Sequence, residues 1–192
     1  MEENKKGNIL ITEFKSVSRG ILVTDRMVKS ASIRIIQASS LCPGKYLTIS
    51  EGEISALKSA EGIAESEGGR HLCSSALISS IDEKIIEAIG GKLVDQDTGS
   101  IGVMEGPYIA DLVNSSDIAV ESAPVEFIEY RLARGCGVNS FYVMTGTLSA
   151  LSEAVNNAVE YLKGRGSLLA YKIISGPDRQ VFRWIKSSLV SC

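Results

Sequence analysis

The chain has 192 residues, of which 44% are hydrophobic and 22% charged, with a formal charge of -3. That near-neutral, slightly acidic balance supplies no electrostatic footprint for nucleic acid or an anionic membrane surface. No apolar run approaches the roughly 20 residues of a membrane helix, and the polar stretch Met1 to Gly7 has no apolar signal-peptide core, so a cytoplasmic protein is expected.

Length alone permits one large domain or two small ones, and an internal repeat decides for two. Glu13, Asp25 and the pair Ser30-Ala31 recur 92 residues later as Glu105, Asp117 and Ser122-Ala123. Further on the offset is 94, matching Gly52 and Ser55-Ala56-Leu57 with Gly146 and Ser149-Ala150-Leu151. Near the end it is 96, matching Asp82 with Asp178 and Ile89 with Ile185. Ordered matches with two small insertions indicate a duplicated unit. The first unit is expected over residues 8–89 and the second over 100–189, with the glycine-bearing polar segment 90–99 as linker.

Each unit reads as β-α-β-β-α-β with a short closing helix. Asn8 to Glu13 is an apolar strand, Ile21 to Ala31 a helix, and Ile33 to Gln37 with Tyr46 to Ile49 a strand pair. Ile54, Leu57, Glu61 and Ala64 set a helical period. Leu72 to Ser79 is the last strand, placing Cys73 in the core, and Asp82 fits the N-cap of a helix carrying Ile85, Ile86 and Ile89. In the second unit Leu148, Leu151, Val155, Ala158 and Leu162 form a continuous stripe, ended by Gly164 and Gly166. The fold class expected is α/β in the broad sense (α+β, ferredoxin-like): a four-stranded antiparallel sheet with helices on one face, twice.

Two loops stand out. Ser39-Ser40-Leu41-Cys42-Pro43-Gly44-Lys45 joins the strand pair of the first unit, and its Pro-Gly step fits a tight turn that presents Cys42. Arg131-Leu132-Ala133-Arg134-Gly135-Cys136-Gly137-Val138 occupies the equivalent place in the second. The other cysteines are Cys73 and the terminal Cys192, and no two form a C-x-x-C pair, which argues against a local zinc or ferredoxin-type motif. A disulfide framework is not expected in a reducing compartment. The single histidine, His71, excludes a multi-histidine metal site within one chain. There is no Ser-His-Asp set, recognisable carboxylate motif or glycine-rich phosphate loop, so an enzyme is not expected.

The element order, Asp25 before Ser30-Ala31, and the Gly-x-hydrophobic-Ser-Ala-Leu start of the second helix resemble the bacterial microcompartment shell domain. Two unpermuted copies resemble the tandem-domain shell proteins. Ile9 to Glu13, Ser16-Val17-Ser18-Arg19-Gly20 and Leu41-Cys42-Pro43-Gly44-Lys45 are most similar to the iron–sulfur-carrying branch found in propanediol-utilisation microcompartments.

The resemblance implies a homotrimer whose six domains mimic a hexameric tile, packed edge to edge with other shell proteins around encapsulated enzymes. It implies that Ser40, Leu41, Pro43, Gly44, Lys45, Arg134, Gly135 and Gly137 line the central pore, and that Lys29 packs at the tile edge. It also implies that Cys42 from three chains holds one [4Fe–4S] cluster, a route that closed symmetry opens where a single chain lacks four thiolates. In that arrangement Lys45 and Arg134 offset the anionic charge, and the N–H of Gly44 is placed to tune the potential. Cys136 is left open, as an extra ligand, a replacement for Cys42, or neither.

At the second edge Glu121 stands where a lysine is expected, and Gly176-Pro177-Asp178 replaces the family's arginine before the closing helix. Electron transfer across the shell, with an encapsulated or cytosolic redox enzyme as partner, or cluster delivery, is the leading expectation. The alternative is a cluster-free tile whose pore conducts small metabolites. A duplicated ferredoxin-like regulatory protein is the reading that the fold alone permits.

Overall fold

The computed structural model describes residues 5–95, 99–132 and 139–187. The chain divides into two compact units, Met1–Ile86 and Glu87–Cys192. In the first, β1 (Lys6–Phe14), α1 (Val17–Ser30), β2 (Ile33–Leu41), β3 (Lys45–Gly52), α2 (Ile54–Gly68) and β4 (Leu72–Asp82) are followed by α3 (Glu83–Ile89). The second runs β5 (Ser100–Gly106), α4 (Ile109–Ser122), β6 (Glu126–Arg131), β7 (Ser140–Gly146), α5 (Leu148–Gly164), β8 (Ala170–Ile174) and α6 (Arg179–Ser187). The sheet orders correspond, β2-β3-β1-β4 and β6-β7-β5-β8, with every pairing antiparallel. This is the architecture expected from the repeat.

Local chemistry sets the boundaries. The Ser16 hydroxyl accepts the Arg19 N–H at 3.4 Å and caps α1. The closing helices start alike: Asp82 accepts the Lys84 N–H at 2.9 Å, and Asp178 accepts the Gln180 N–H at 2.8 Å. Capping is thus repeated at the 96-residue offset read from the sequence.

The first core places Leu10 and Phe14 of β1 against Val23 and Met27 of α1 and Leu57, Ala60 and Ala64 of α2. Burying a side chain of the size of Leu10 or Phe14 contributes roughly 1.5–3 kcal/mol. In the second unit Leu151, Val155, Ala158 and Leu162 of α5 are buried, as the stripe requires. A Cβ on Gly102 would meet Val155 and Leu151, so this face of β5 lies under α5.

Three expectations need correction. The helices do not all lie on one face: Phe182 of α6 packs with Ile101, Ile128 and Val143. Ile101 alternates with Gly102 along β5, so the closing helix covers the opposite face. Cys73 is exposed, not in the core. Phe14 pairs with Leu72 but Glu13 pairs with Ser74, so Cys73 is the extra residue of a bulge on edge strand β4, where strand alternation breaks down. Finally, Ser39, Ser40 and Leu41 are strand, not loop, pairing with Leu47, Tyr46 and Lys45.

Candidate functional site

That pairing shrinks the seven-residue loop to a three-residue hairpin tip, Cys42-Pro43-Gly44, all exposed. Leu41, 4% accessible, anchors one side. Gly44 has φ +78° with open space around a would-be Cβ. Its glycine is required by the backbone and not by crowding. The Cys42–Pro43 peptide bond is cis. A short, strand-anchored tip holds the Cys42 thiol out from the unit.

Behind the tip, Lys45 Nζ lies 3.7 Å from Glu13 Oε2, and Ser74 Oγ donates to Glu13 Oε1 at 3.0 Å. Glu13, on the central strand β1, ties the root of the hairpin to edge strand β4. Lys45 therefore pairs with a carboxylate of its own unit. Lys29 is exposed on α1 and pairs with Asp25 one turn away at 2.7 Å, a contact worth a few tenths of a kcal/mol.

Arg134, Gly135, Cys136 and Gly137 lie outside the described residues. Among the described residues no three His, Cys, Asp or Glu side chains gather as a metal site within one chain. For a cluster the donor at the tip is thus the Cys42 thiol, one per chain, with the tip's other side chains apolar or absent; the other exposed thiol of this unit, Cys73, lies on edge strand β4 and not on the tip. A soft thiolate suits iron–sulfur ligation, and the tip carries no competing carboxylate.

The sequence reading used His71 only to exclude a metal site, and missed its surroundings. Arg70 Nε lies 3.5 Å from His71 Nε2, and desolvation, followed by the charges of Arg70, Arg19 and Lys15, pushes the imidazole pKa below its usual value. These residues converge only through folding: the Lys15 N–H donates to the His71 carbonyl at 2.9 Å, joining the end of β1 to the turn before β4.

The BMC domain model matches residues 9–81 and 100–177, once in each unit. The chain belongs to the bacterial microcompartment domain family. It is a structural protein of the microcompartment shell and not an enzyme. The bacterial microcompartment shell protein PduT of Citrobacter freundii is 27% identical over 173 residues, covering 90% of this chain and 94% of that protein. A microcompartment protein from Desulfitobacterium hafniense DCB superposes with a TM-score of 0.89 at 25% identity, over 93% of this chain and 99% of its own. The fused permuted hexameric shell protein of the RMM microcompartment matches at a TM-score of 0.57 and 19% identity, over 81% of this chain and 85% of its own, a likeness of fold. No helix among the described residues is long and apolar enough to cross a membrane.

Proposed function

We propose that this shell protein is a homotrimeric tile in which three Cys42 side chains, one per chain, hold a single [4Fe–4S] cluster at the central pore. The observation that carries this reading is the exposure of Cys42 at the apex of a three-residue hairpin rooted in the sheet. One chain offers one such thiol among its described residues, so a symmetric site needs three copies. The Cys-Pro-Gly-Lys resemblance to iron–sulfur-carrying shell proteins points the same way.

When bound, the cluster supplies one-electron transfer at a low potential set by charge, hydrogen bonding and solvent access. The chain's own contribution is to position and to insulate. The β2–β3 ladder fixes the tip, Leu41 excludes water behind it, and the Glu13–Lys45 pair leaves the hairpin root with little net charge. The function that follows is electron passage across the shell, or cluster exchange there, with a redox enzyme on one side as partner.

The test is anaerobic purification followed by iron and sulfide analysis, with Cys42→Ser beside the native protein. The reading expects four irons and four sulfides per trimer and none in the variant, with the trimer intact because Cys42 lies outside the core. Colourless native protein, after reconstitution with iron and sulfide, would leave a metabolite-conducting tile instead.

A further inference from the structure

Arg70 Nε lies 3.5 Å from His71 Nε2, the Lys15 N–H bonds the His71 carbonyl at 2.9 Å, and Arg19 stands four residues on in the first turn of α1. Lys15, Arg19 and Arg70 form no ion pair among the described residues. They come from three elements: the end of β1, the first turn of α1, and the turn between α2 and β4. Lys15 and Arg70 are exposed, and Arg19 and His71 are half-buried. Two acids close by in the sequence are engaged, Glu13 by Lys45 and Ser74, and Glu67 by Arg26. In a chain of net charge -3, this is a local excess of positive charge held together by backbone contacts.

Its position is set by register. Phe14 pairs with both Tyr46 and Leu72, so the cations sit at the end of the sheet from which the Cys42 hairpin projects. Three neighbouring cations without a counter-charge repel one another, and an anionic partner relieves that repulsion. Spread across three elements and facing solvent, they match several carboxylates on one segment better than a single compact anion.

We infer that this end of the first unit docks an acidic segment of a partner protein through Lys15, Arg19, Arg70 and His71. Docking is a property of this patch whether or not Cys42 holds a cluster, and it places the partner beside the hairpin tip.

The test uses the assembled full-length Cys42→Ser protein, so the cluster plays no part, with a hexaglutamate peptide as probe. His71 is the only histidine, so one imidazole resonance reports the site by proton NMR. Added peptide is expected to raise the His71 pKa, because carboxylates offset the three cations that lower it. Peptide binding, followed by fluorescence anisotropy, is expected to weaken steeply as salt rises from about 50 to about 200 mM. Charge reversal by R70E or K15E is expected to weaken binding about tenfold or more, and the milder R70Q to weaken it less, with circular dichroism unchanged. An unmoved His71 titration overturns the assignment, as does binding indifferent to these substitutions. Inorganic phosphate at equal charge concentration, if it shifts His71 as far as the peptide does, also overturns it in favour of a small-anion site.

Discussion

The two units share one topology but fill their cores differently. In the first, Phe14 of β1 occupies space that exists because α2 has Gly68: a Cβ there would come within 2.9 Å of the Phe14 ring. At the equivalent positions of the second unit the sizes are exchanged, with Gly106 on β5 and Leu162 on α5. The same inversion recurs between Gly20 with Tyr46 and Leu112 with Ser140, since a Cβ on Gly20 would lie 2.5 Å from the Tyr46 ring. Leu10 of the first unit becomes Gly102 in the second, while Ser50 and Glu61 become Met144 and Val155. At these aligned positions large and small residues trade places while the fold is kept, as cores tolerate when patterning is retained.

The polar groups in the cores diverged in parallel. Thr24 and Thr48 share a hydrogen bond of 2.8 Å between α1 and β3. In the second unit Tyr142 stands where Thr48 does, bonded to Ser115 at 3.1 Å and stacked on Tyr130, which bonds Ser116 at 2.7 Å. Burial drives both phenol pKa values upward, keeping them neutral hydrogen-bonding groups. The thiol-bearing tip belongs to the first unit, and the second unit's counterpart around Cys136 lies outside the described residues.

The comparison can be broken most sharply at the cysteines. Cys42→Ser is expected to remove all bound iron, whereas Cys136→Ser leaves the iron count unchanged. Iron analysis of the two variants side by side separates the units' roles, and retention of iron by the Cys42 variant would invert them.

Exchange of core volumes comes next. Phe14→Gly is expected to cost about 3–5 kcal/mol through the cavity it leaves, and Gly68→Leu about 1–3 kcal/mol through overpacking. Combined, they imitate the second unit, and denaturant unfolding should show a loss smaller than the sum of the two. Strict additivity would mean that the two positions do not compensate. A smaller effect is expected for Tyr142→Phe, about 1–2 kcal/mol from the lost bond to Ser115. Ser115 keeps its 2.7 Å bond to the Leu112 carbonyl, which limits the damage.

The smallest effect is on pH dependence. His71 in the folded chain sits below its usual pKa, so the unfolded chain binds more protons just below that value. Stability should rise with pH through that window, be fully present above it, and lose this dependence in His71→Gln. Thermal melts across about pH 5 to 8 would show it, and a fall in stability with rising pH would contradict the sign.

Much of the fold was legible because the repeat supplied two readings of each element, and the α5 stripe and the Asp82 cap were plain in the sequence. The misses have physical causes. Ser39 and Ser40 look like loop residues, yet strand pairing uses backbone groups that any side chain permits. Cys73 was misplaced because a bulge inverts strand phase without a sequence signal. The second covered face was missed because, among the described residues, Phe182 is the one buried side chain of α6. Cys42 was readable as the presented thiol because Pro43 and Gly44 mark a turn. The cationic cluster was not, since positions 15, 19, 70 and 71 meet only across the sheet end.

Native mass spectrometry of anaerobically prepared protein is the decisive measurement. Three chains carrying one [4Fe–4S] cluster are expected, and three chains without it for Cys42→Ser. A cluster on each chain, an assembly not built of trimers, or a cluster retained by the variant would contradict the shared Cys42 site.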